Sequence, residues 1–322
     1  MATIYNTLPQ TDLPRLPDGT LSFIGRAAVD DSSWDSVYES RQDSSQDVLA
    51  DSNFSADDEE FFETKSGSTF FQLLSTLLNQ VPEGSATLEV GCGFAGISLA
   101  IARRWGHDVY GIDTSSQAIQ SARGRFGEFG LEPDRLSVCD VNRLPFPDNT
   151  FTLIFGKTVF EHFEDPQQAA KEIFRTAAPG CKVVLDVPNL RNSYWTRASE
   201  RVLKHNHKTD YFTIERFSGY LEAAGFRIRE TWGEALFYTT PFIVMNEFKR
   251  LLSRGDQSVG SSKSVSETKS RVASNSGLLF GALTSVDAVT KRFLRAMNLA
   301  VSKTPLVTPK TGVIIGLVGE KP

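Results

Sequence analysis

The chain has 322 residues, of which 40% are hydrophobic and 23% charged, so a wholly disordered or fibrous protein is excluded. Its formal net charge of −5 argues against nucleic acid as the main partner, because phosphate binding needs a basic face. The three scattered cysteines do not suit a disulfide framework and fit a reducing compartment. Since we find neither a signal-peptide pattern nor a run of 18 apolar residues, we expect a cytoplasmic protein without a membrane span.

Charge and composition divide the chain into four parts. Residues 1–66 form an acidic arm, in which residues 28–63 contain twelve acids and one base. We expect this arm to be partly flexible and to act as a cap. A core over residues 67–239 begins with a helical pattern over 69–78. A helical, partly flexible basic insertion over 240–309 separates this core from its last strand, which lies within 310–322.

Strand-like and helix-like stretches alternate through the core. Such alternation predicts right-handed crossovers and a mostly parallel sheet that is covered by helices on both faces. The predicted strands are 87–90, 108–112, 136–138, 151–155, 182–187, 226–229 and 312–318. The predicted helices are 96–104, 116–129, 166–177 and 213–224. We therefore expect an α/β fold of the Rossmann-like, doubly wound type.

A glycine-rich motif follows the first of these strands and opens the first helix. It places glycines at Gly91, Gly93 and Gly96, where a sharp turn and a close ligand approach exclude a side chain. The helix start adds free N–H groups and the positive end of the helix dipole. Asp113 ends the next strand, 22 residues after Gly91, a spacing that suits a carboxylate holding both ribose hydroxyls.

Two acidic residues distinguish between the cofactors that such a motif could bind. Glu89, two residues before Gly91, would oppose a dinucleotide pyrophosphate but suits an ammonium group. Asp140 ends the third strand, where it can accept a hydrogen bond from the adenine amine. Both residues favour an adenosyl cofactor with an amino-acid tail over a nicotinamide cofactor.

These motifs, together with Val159-Phe-Glu161-His162-Phe and Ala177-Ala-Pro-Gly180-Cys-Lys-Val, resemble a class I S-adenosylmethionine-dependent methyltransferase. The small-molecule branch, which includes the polyprenyl-phenol O-methyltransferases, is the most similar. The resemblance implies a seven-stranded sheet whose last strand is antiparallel. It also implies S-adenosyl-L-methionine as methyl donor and a small-molecule methyl acceptor, with O- or N-methylation favoured over C-methylation.

Carried over residue by residue, the resemblance implies a cofactor site along one edge of the sheet. Glu89 and the glycines would frame the methionine part, Asp113 would hold the ribose, and Lys157 would lie near the reactive methyl. The cofactor-binding residues that it implies are Glu89, Gly91, Cys92, Gly93, Gly96, Asp113, Thr114, Asp140, Val141 and Lys157.

His162 is the candidate catalytic residue, as a general base. A structural interpretation stays open beside it, in which Glu161 and His162 start a helix and the imidazole packs. We expect no metal site, because His205-Asn-His207 has no third ligand at a recognisable spacing. Cys92 is expected to be a small residue beneath the cofactor and not a nucleophile.

The insertion contains an amphipathic pattern over residues 278–302 that must be covered. Its apolar stripe could pack on the edge of the core sheet or over the substrate pocket, pair with a second subunit, or contact an anionic membrane surface. The stripe consists of Leu279, Leu283, Val286, Phe293, Met297 and Val301. A homodimer and a peripheral membrane contact therefore remain open.

Two other functions are retained as alternatives to the methyltransferase. One is a nicotinamide-dependent oxidoreductase, which shares the glycine motif and the acid at Asp113. The other is a non-catalytic module that binds S-adenosylmethionine.

Overall fold

The computed structural model describes residues 14–23, 68–192, 212–234 and 308–322. Most of the arm, nearly all of the insertion with its stripe over 278–302, and the pair His205 and His207 lie outside these described residues. No helix within the described ranges is both long and apolar enough to cross a membrane.

Each helix and strand of the described residues can be named in chain order. The strands are β1 (Leu21–Ser22), β2 (Ala86–Val90), β3 (Asp108–Asp113), β4 (Leu136–Val138), β5 (Phe151–Lys157), β6 (Ala177–Pro188), β7 (Arg227–Glu234) and β8 (Ile314–Glu320). The helices are α1 (Thr69–Leu78), α2 (Gly96–Trp105), α3 (Ser116–Glu128), α4 (Pro166–Thr176) and α5 (Ile214–Ala224). Short 3₁₀ turns lie at Pro133–Arg135, Val141–Arg143, Phe160–His162 and Leu190–Asn192.

All eight strands form one sheet in the order β1-β4-β3-β2-β5-β6-β8-β7. Within the run β1-β4-β3-β2-β5-β6 of this order, every pair of neighbouring strands is parallel. The strand β8 is antiparallel to both of its neighbours, β6 and β7. The doubly wound α/β fold and the antiparallel last strand are therefore confirmed. The strand count differs from the predicted seven because the two-residue strand β1 adds to the free edge of β4.

Helices cover the sheet on both faces. On one face, Phe70 and Leu74 of α1 and Ile101 of α2 pack against Phe155 of β5 and Val184 of β6. On the other face, α4 and α5 pack on alternate residues of the same strands. Each fully buried large side chain contributes about 1.5–3 kcal/mol, so these two layers fix the helices that surround the strand ends.

The helix boundaries follow local capping chemistry. Ser115 accepts a hydrogen bond from the Ala118 N–H and starts α3, and Asp165 does the same for Gln168 at the start of α4. Gly225, at φ 116°, follows the last residue of α5, Ala224, where the predicted helix also ends.

The strand β1 joins part of the predicted arm, residues 1–66, to the edge of the core sheet. Leu21 is fully buried in the sheet, and the Phe23 N–H donates to the Val138 carbonyl at 2.8 Å. Arg15 makes two hydrogen bonds to Asp134, at 3.0 and 2.5 Å. Arg123 reaches the same carboxylate at 2.8 Å, so one acid anchors the strand to the core.

Replacing Asp134 tests how much this anchor stabilises the fold. The Arg15 and Arg123 guanidinium groups hold the pKa of Asp134 below its ordinary value. The contribution of Asp134 to the free energy of unfolding is therefore present above about pH 4 and is lost as pH falls through the lowered pKa. We expect Asp134→Asn to reduce the free energy of unfolding by about 1 kcal/mol, the scale of a well-formed surface ion pair. Urea unfolding at pH 7 measures this loss, and 1 M NaCl should narrow the gap between the two proteins. An unchanged midpoint would show that the anchor is not stabilising.

Candidate active site

The predicted site residues lie where the sheet changes direction. The chain moves from β2 through β3 to β4 on one side, and then returns to place β5 on the other side of β2. This switch point between the carboxyl ends of β2 and β5, called the crevice below, is the usual ligand position in an open α/β sheet.

The glycine loop between β2 and α2 adopts backbone conformations that explain its sequence. Gly91 and Gly93 have φ values of 65° and 51°, in the left-handed region that disfavours a side chain. Ala95, at φ 53° and ψ 36°, precedes the first turn of α2 in the same region. The loop thus turns sharply and presents its backbone, together with the start of α2, to the crevice.

Asp113 ties this loop to the end of β3. Its Oδ2 accepts a hydrogen bond from the Gly93 N–H at 2.8 Å, and its Oδ1 accepts from the Ser115 N–H at 2.9 Å. The side chain is buried, so the carboxylate is held at the junction of the two loops. Each carboxylate oxygen can accept more than one hydrogen bond, so Asp113 has the chemistry to bind vicinal hydroxyls at this junction.

Glu89 lies beneath the glycine loop and faces the start of α2. Its Oε2 accepts hydrogen bonds from the Ser98 N–H at 3.0 Å and the Ser98 hydroxyl at 2.5 Å. Burial raises the pKa of Glu89 from 4.5 to about 8, although the Ser98 bonds favour the charged form. The carboxyl is therefore mostly protonated at neutral pH until a cation compensates its charge.

Cys92 has the environment of a small core residue. Its thiol is buried, and burial together with the charges of Asp113 and Glu89 raises its pKa well above the ordinary value. Since the thiolate is the reactive form, this geometry argues against a nucleophile at Cys92.

The predicted adenine side follows β4. Asp140 accepts from the Asn142 N–H at 2.9 Å and from its side-chain amide at 3.0 Å, and so starts the turn Val141–Arg143. Val141 is buried, whereas Thr114 is half-buried directly after β3. The structure thus places Asp140, Val141 and Thr114 at the same edge as Asp113, and their contact with adenine stays a prediction.

Lys157 ends β5 on the other side of the crevice. Its Nζ lies 2.6 Å from Asp186 Oδ2 and 4.9 Å from the centre of the Phe70 ring. Burial alone would lower the pKa of Lys157, but the charges of Asp186 and Glu234 outweigh it and raise the pKa. Lys157 therefore stays protonated. Its position near the reactive methyl group stays a prediction.

Thr158 and Asp186 lie near the carboxyl ends of β5 and β6 and are not among the predicted site residues. Thr158 has φ 47°, an uncommon conformation for a β-branched residue and one that costs on the order of 1–3 kcal/mol. The sequence around Asp186 predicts only a strand, yet the Asp186 side chain is fully buried. A buried acid inside an apolar strand is the one signal that could have drawn attention to it.

His162 ends the turn that follows β5. Its Nε2 lies 3.9 Å from Glu161 Oε1, which is too far for a hydrogen bond, and its side chain is 21% exposed. The structure therefore places a titratable side chain beyond the carboxyl end of β5, and the role of general base stays a prediction.

Gly91→Ala is expected to destabilise the protein strongly. A Cβ at Gly91 would lie 2.1 Å from Val159 Cγ2, and the positive φ adds backbone strain. We expect a loss of about 2–4 kcal/mol in the free energy of unfolding, measured by thermal or urea denaturation. Gly124→Ala is the matched control, because a Cβ there, in the interior of α3, would meet no atom within 4 Å apart from its chain neighbours and the backbone of its own helix. The control should gain about 0.5–1 kcal/mol, and equal stability of the two variants would contradict this view of the loop.

Comparisons with known proteins find methyltransferases that are similar to part of this chain. Residues 88–185 match the methyltransferase domain family model. The chain is 31% identical over 158 residues to a 2-methyl-6-phytyl-1,4-hydroquinone methyltransferase of Synechocystis sp., covering 46% of this chain and 48% of the relative. It is 33% identical over 99 residues to norajmaline N-methyltransferase of Rauvolfia serpentina, covering 30% and 34%. The chain thus spans about half or less of the length of these relatives.

A solved structure of phosphoethanolamine N-methyltransferase 2 from Haemonchus contortus superposes with a TM-score of 0.46 at 19% identity. That superposition covers 78% of this chain and 52% of the other. The matched domain model begins within β2 and ends within β6, and so includes the glycine loop, Asp113 and Lys157. Residues 88–185 are therefore similar to known methyltransferase domains.

Proposed function

We propose that this protein transfers a methyl group from S-adenosyl-L-methionine to an oxygen or nitrogen atom of a small molecule. The observation that carries the proposal is the junction of Gly93 and Asp113, where a buried carboxylate is fixed against the glycine loop. The same residues would hold the ribose and methionine parts of the donor. The relatives named as a hydroquinone methyltransferase and as an N-methyltransferase support phenols and amines as acceptor classes.

The residues suit this donor in charge as well as in shape. Glu89 is a buried acid next to the predicted position of an ammonium group, and an ion pair there would favour its charged form. A dinucleotide would instead place a pyrophosphate near this acid, which costs electrostatic energy. This contrast, together with the family match, supports the methyltransferase over the nicotinamide-dependent alternative.

The donor supplies an activated methyl group on a sulfonium, which needs alignment more than strong acid–base catalysis. The chain's contribution would be to orient the acceptor near the carboxyl ends of β2 and β5 and to exclude water. We propose that His162, in the turn after β5, removes a proton from an acceptor that must lose one. We propose a cytoplasmic protein that does not act on nucleic acid, and we retain the homodimer and the membrane contact through 278–302 as proposals.

A labelled-methyl assay tests the function. The full chain is incubated with S-adenosyl-L-methionine carrying a labelled methyl group and with a panel of hydroquinones, other phenols and amines. We expect label in at least one phenol or amine, identified by the mass of the product. Binding of the donor without transfer to any acceptor in the panel or in a cell extract would favour the non-catalytic module.

A further inference from the structure

Asp186 joins two elements at the carboxyl edge of the sheet. Its Oδ2 contacts Lys157 Nζ at 2.6 Å, and its Oδ1 accepts a hydrogen bond from the Thr158 N–H at 2.7 Å. The side chain is fully buried on β6, one strand away from the crevice. One carboxylate therefore fixes both the last residue of β5 and the first residue of the turn that follows it.

That turn carries the contact between β5 and the glycine loop. Thr158 is held at φ 47°, and Val159 follows it. The Val159 side chain fills the space above two glycines, since a Cβ on Gly91 would lie 2.1 Å from its Cγ2 and a Cβ on Gly156 2.8 Å from its Cγ1. The position of Val159 thus depends on the strained turn and sets one wall of the glycine loop.

We infer that Asp186 is a positioning residue for cofactor binding, which acts through the Thr158 turn and not through the charge of Lys157. The carboxylate holds Thr158 in its left-handed conformation, Thr158 places Val159, and Val159 supports the loop at Gly91. This inference rests on the proposed function, because the ligand of the loop is taken to be S-adenosyl-L-methionine.

Two matched double variants separate the turn from the charge. Lys157→Met with Asp186→Asn keeps an acceptor for the Thr158 N–H, whereas Lys157→Met with Asp186→Ala removes it. Neither variant leaves a buried lysine without its partner. Isothermal titration with S-adenosyl-L-methionine should show about tenfold weaker binding for the Asp186→Ala pair than for the Asp186→Asn pair. Adding Thr158→Gly to the Asp186→Ala pair should recover most of the affinity, because glycine adopts the positive φ without strain.

The outcomes distinguish a failure of the positioning role of Asp186 from a failure of the proposed function. Equal affinity of the two double variants, or no recovery with Thr158→Gly, would overturn the positioning role while leaving the proposed function intact. Failure of the unmodified chain to bind the donor would overturn both. Glu320→Gln is the control, because this carboxylate bridges Lys182 and Arg229 at the opposite edge of the sheet and should not change the affinity.

Val159→Ala keeps the inference testable if the Asp186 variants do not fold. It removes the contact with the glycine loop and leaves the Lys157–Asp186 pair in place. We expect weaker donor binding by about three- to tenfold in a chain with an unchanged far-ultraviolet spectrum. A folded Val159→Ala protein with normal affinity would refute the inference.

Discussion

Glu89→Gln should make the protein more stable at pH 8 and much poorer at binding S-adenosyl-L-methionine. Burial raises the pKa of Glu89 from 4.5 to about 8, so the folded state favours the neutral acid. Its contribution to stability is fully present below pH 4.5 and is lost as pH rises to about 8. At about 1.4 kcal/mol per pKa unit, this shift sets an upper limit of about 5 kcal/mol on the gain in the free energy of unfolding. We expect a gain of about 2 kcal/mol, because the glutamine amide also needs hydrogen-bond partners.

The same substitution removes the charge that would compensate the donor's ammonium group. Loss of a charge-assisted interaction of this kind costs about 2–3 kcal/mol, or roughly 30- to 150-fold in affinity. In the wild-type protein, donor binding should strengthen as pH rises from 6 to 8, because binding requires Glu89 to ionise. In Glu89→Gln this pH dependence should disappear.

Calorimetry between pH 6 and 9 and thermal melts over the same range measure both effects. Glu128→Gln is the control, since it removes an exposed carboxyl at the end of α3. It should alter neither the pH dependence of stability nor that of binding. A Glu89→Gln protein that is less stable at pH 8 and binds the donor normally would show that the buried acid has a purely structural role.

Asp113→Ala should have the second largest effect, and it should act on binding and stability together. The carboxylate accepts hydrogen bonds from the Gly93 and Ser115 N–H groups, which would lose their partners in a buried site. We expect a loss of about 1–3 kcal/mol in the free energy of unfolding. Donor affinity should fall by a further 1.5–3 kcal/mol, because the ribose would also lose its acceptor.

Asp113→Asn provides the graded comparison. Its amide keeps one acceptor oxygen for the loop but removes the second, so both effects should be smaller than in Asp113→Ala. Urea denaturation gives the stability and calorimetry gives the affinity. If Asp113→Ala folds with reduced stability but binds the donor as tightly as the unmodified chain, Asp113 supports the loop and does not hold the ribose.

Local patterns were sufficient to predict most of the core. The helix over Thr69–Leu78 and the strand Leu136–Val138 have the predicted bounds, since apolar spacing defines both. The strand β6 was predicted at 182–187 and is twice as long, because the chain enters it directly from α4. There Lys321 Nζ donates to the Ala177 carbonyl at 2.8 Å, a contact that no local pattern reveals.

Features that depend on distant partners could not be predicted. The strand β1 has only two residues and is anchored by a pair of side chains, Arg15 and Asp134, that are 119 positions apart. Likewise, Asp186 gains its importance from Thr158, whose positive φ is not visible in a sequence. Motif spacing predicted the acids and glycines that lie at and after the carboxyl ends of β2 and β3, whereas the residues that pack against them emerge only from the structure.

Isothermal titration of the full chain with S-adenosyl-L-methionine, S-adenosylhomocysteine and NAD tests the central claim most directly. We predict saturable binding of both sulfur ligands at one site, a large loss of affinity in Asp113→Ala, and no binding of NAD. The opposite pattern, with NAD bound and neither sulfur ligand bound, would contradict the assignment of the crevice between β2 and β5 to methyl transfer.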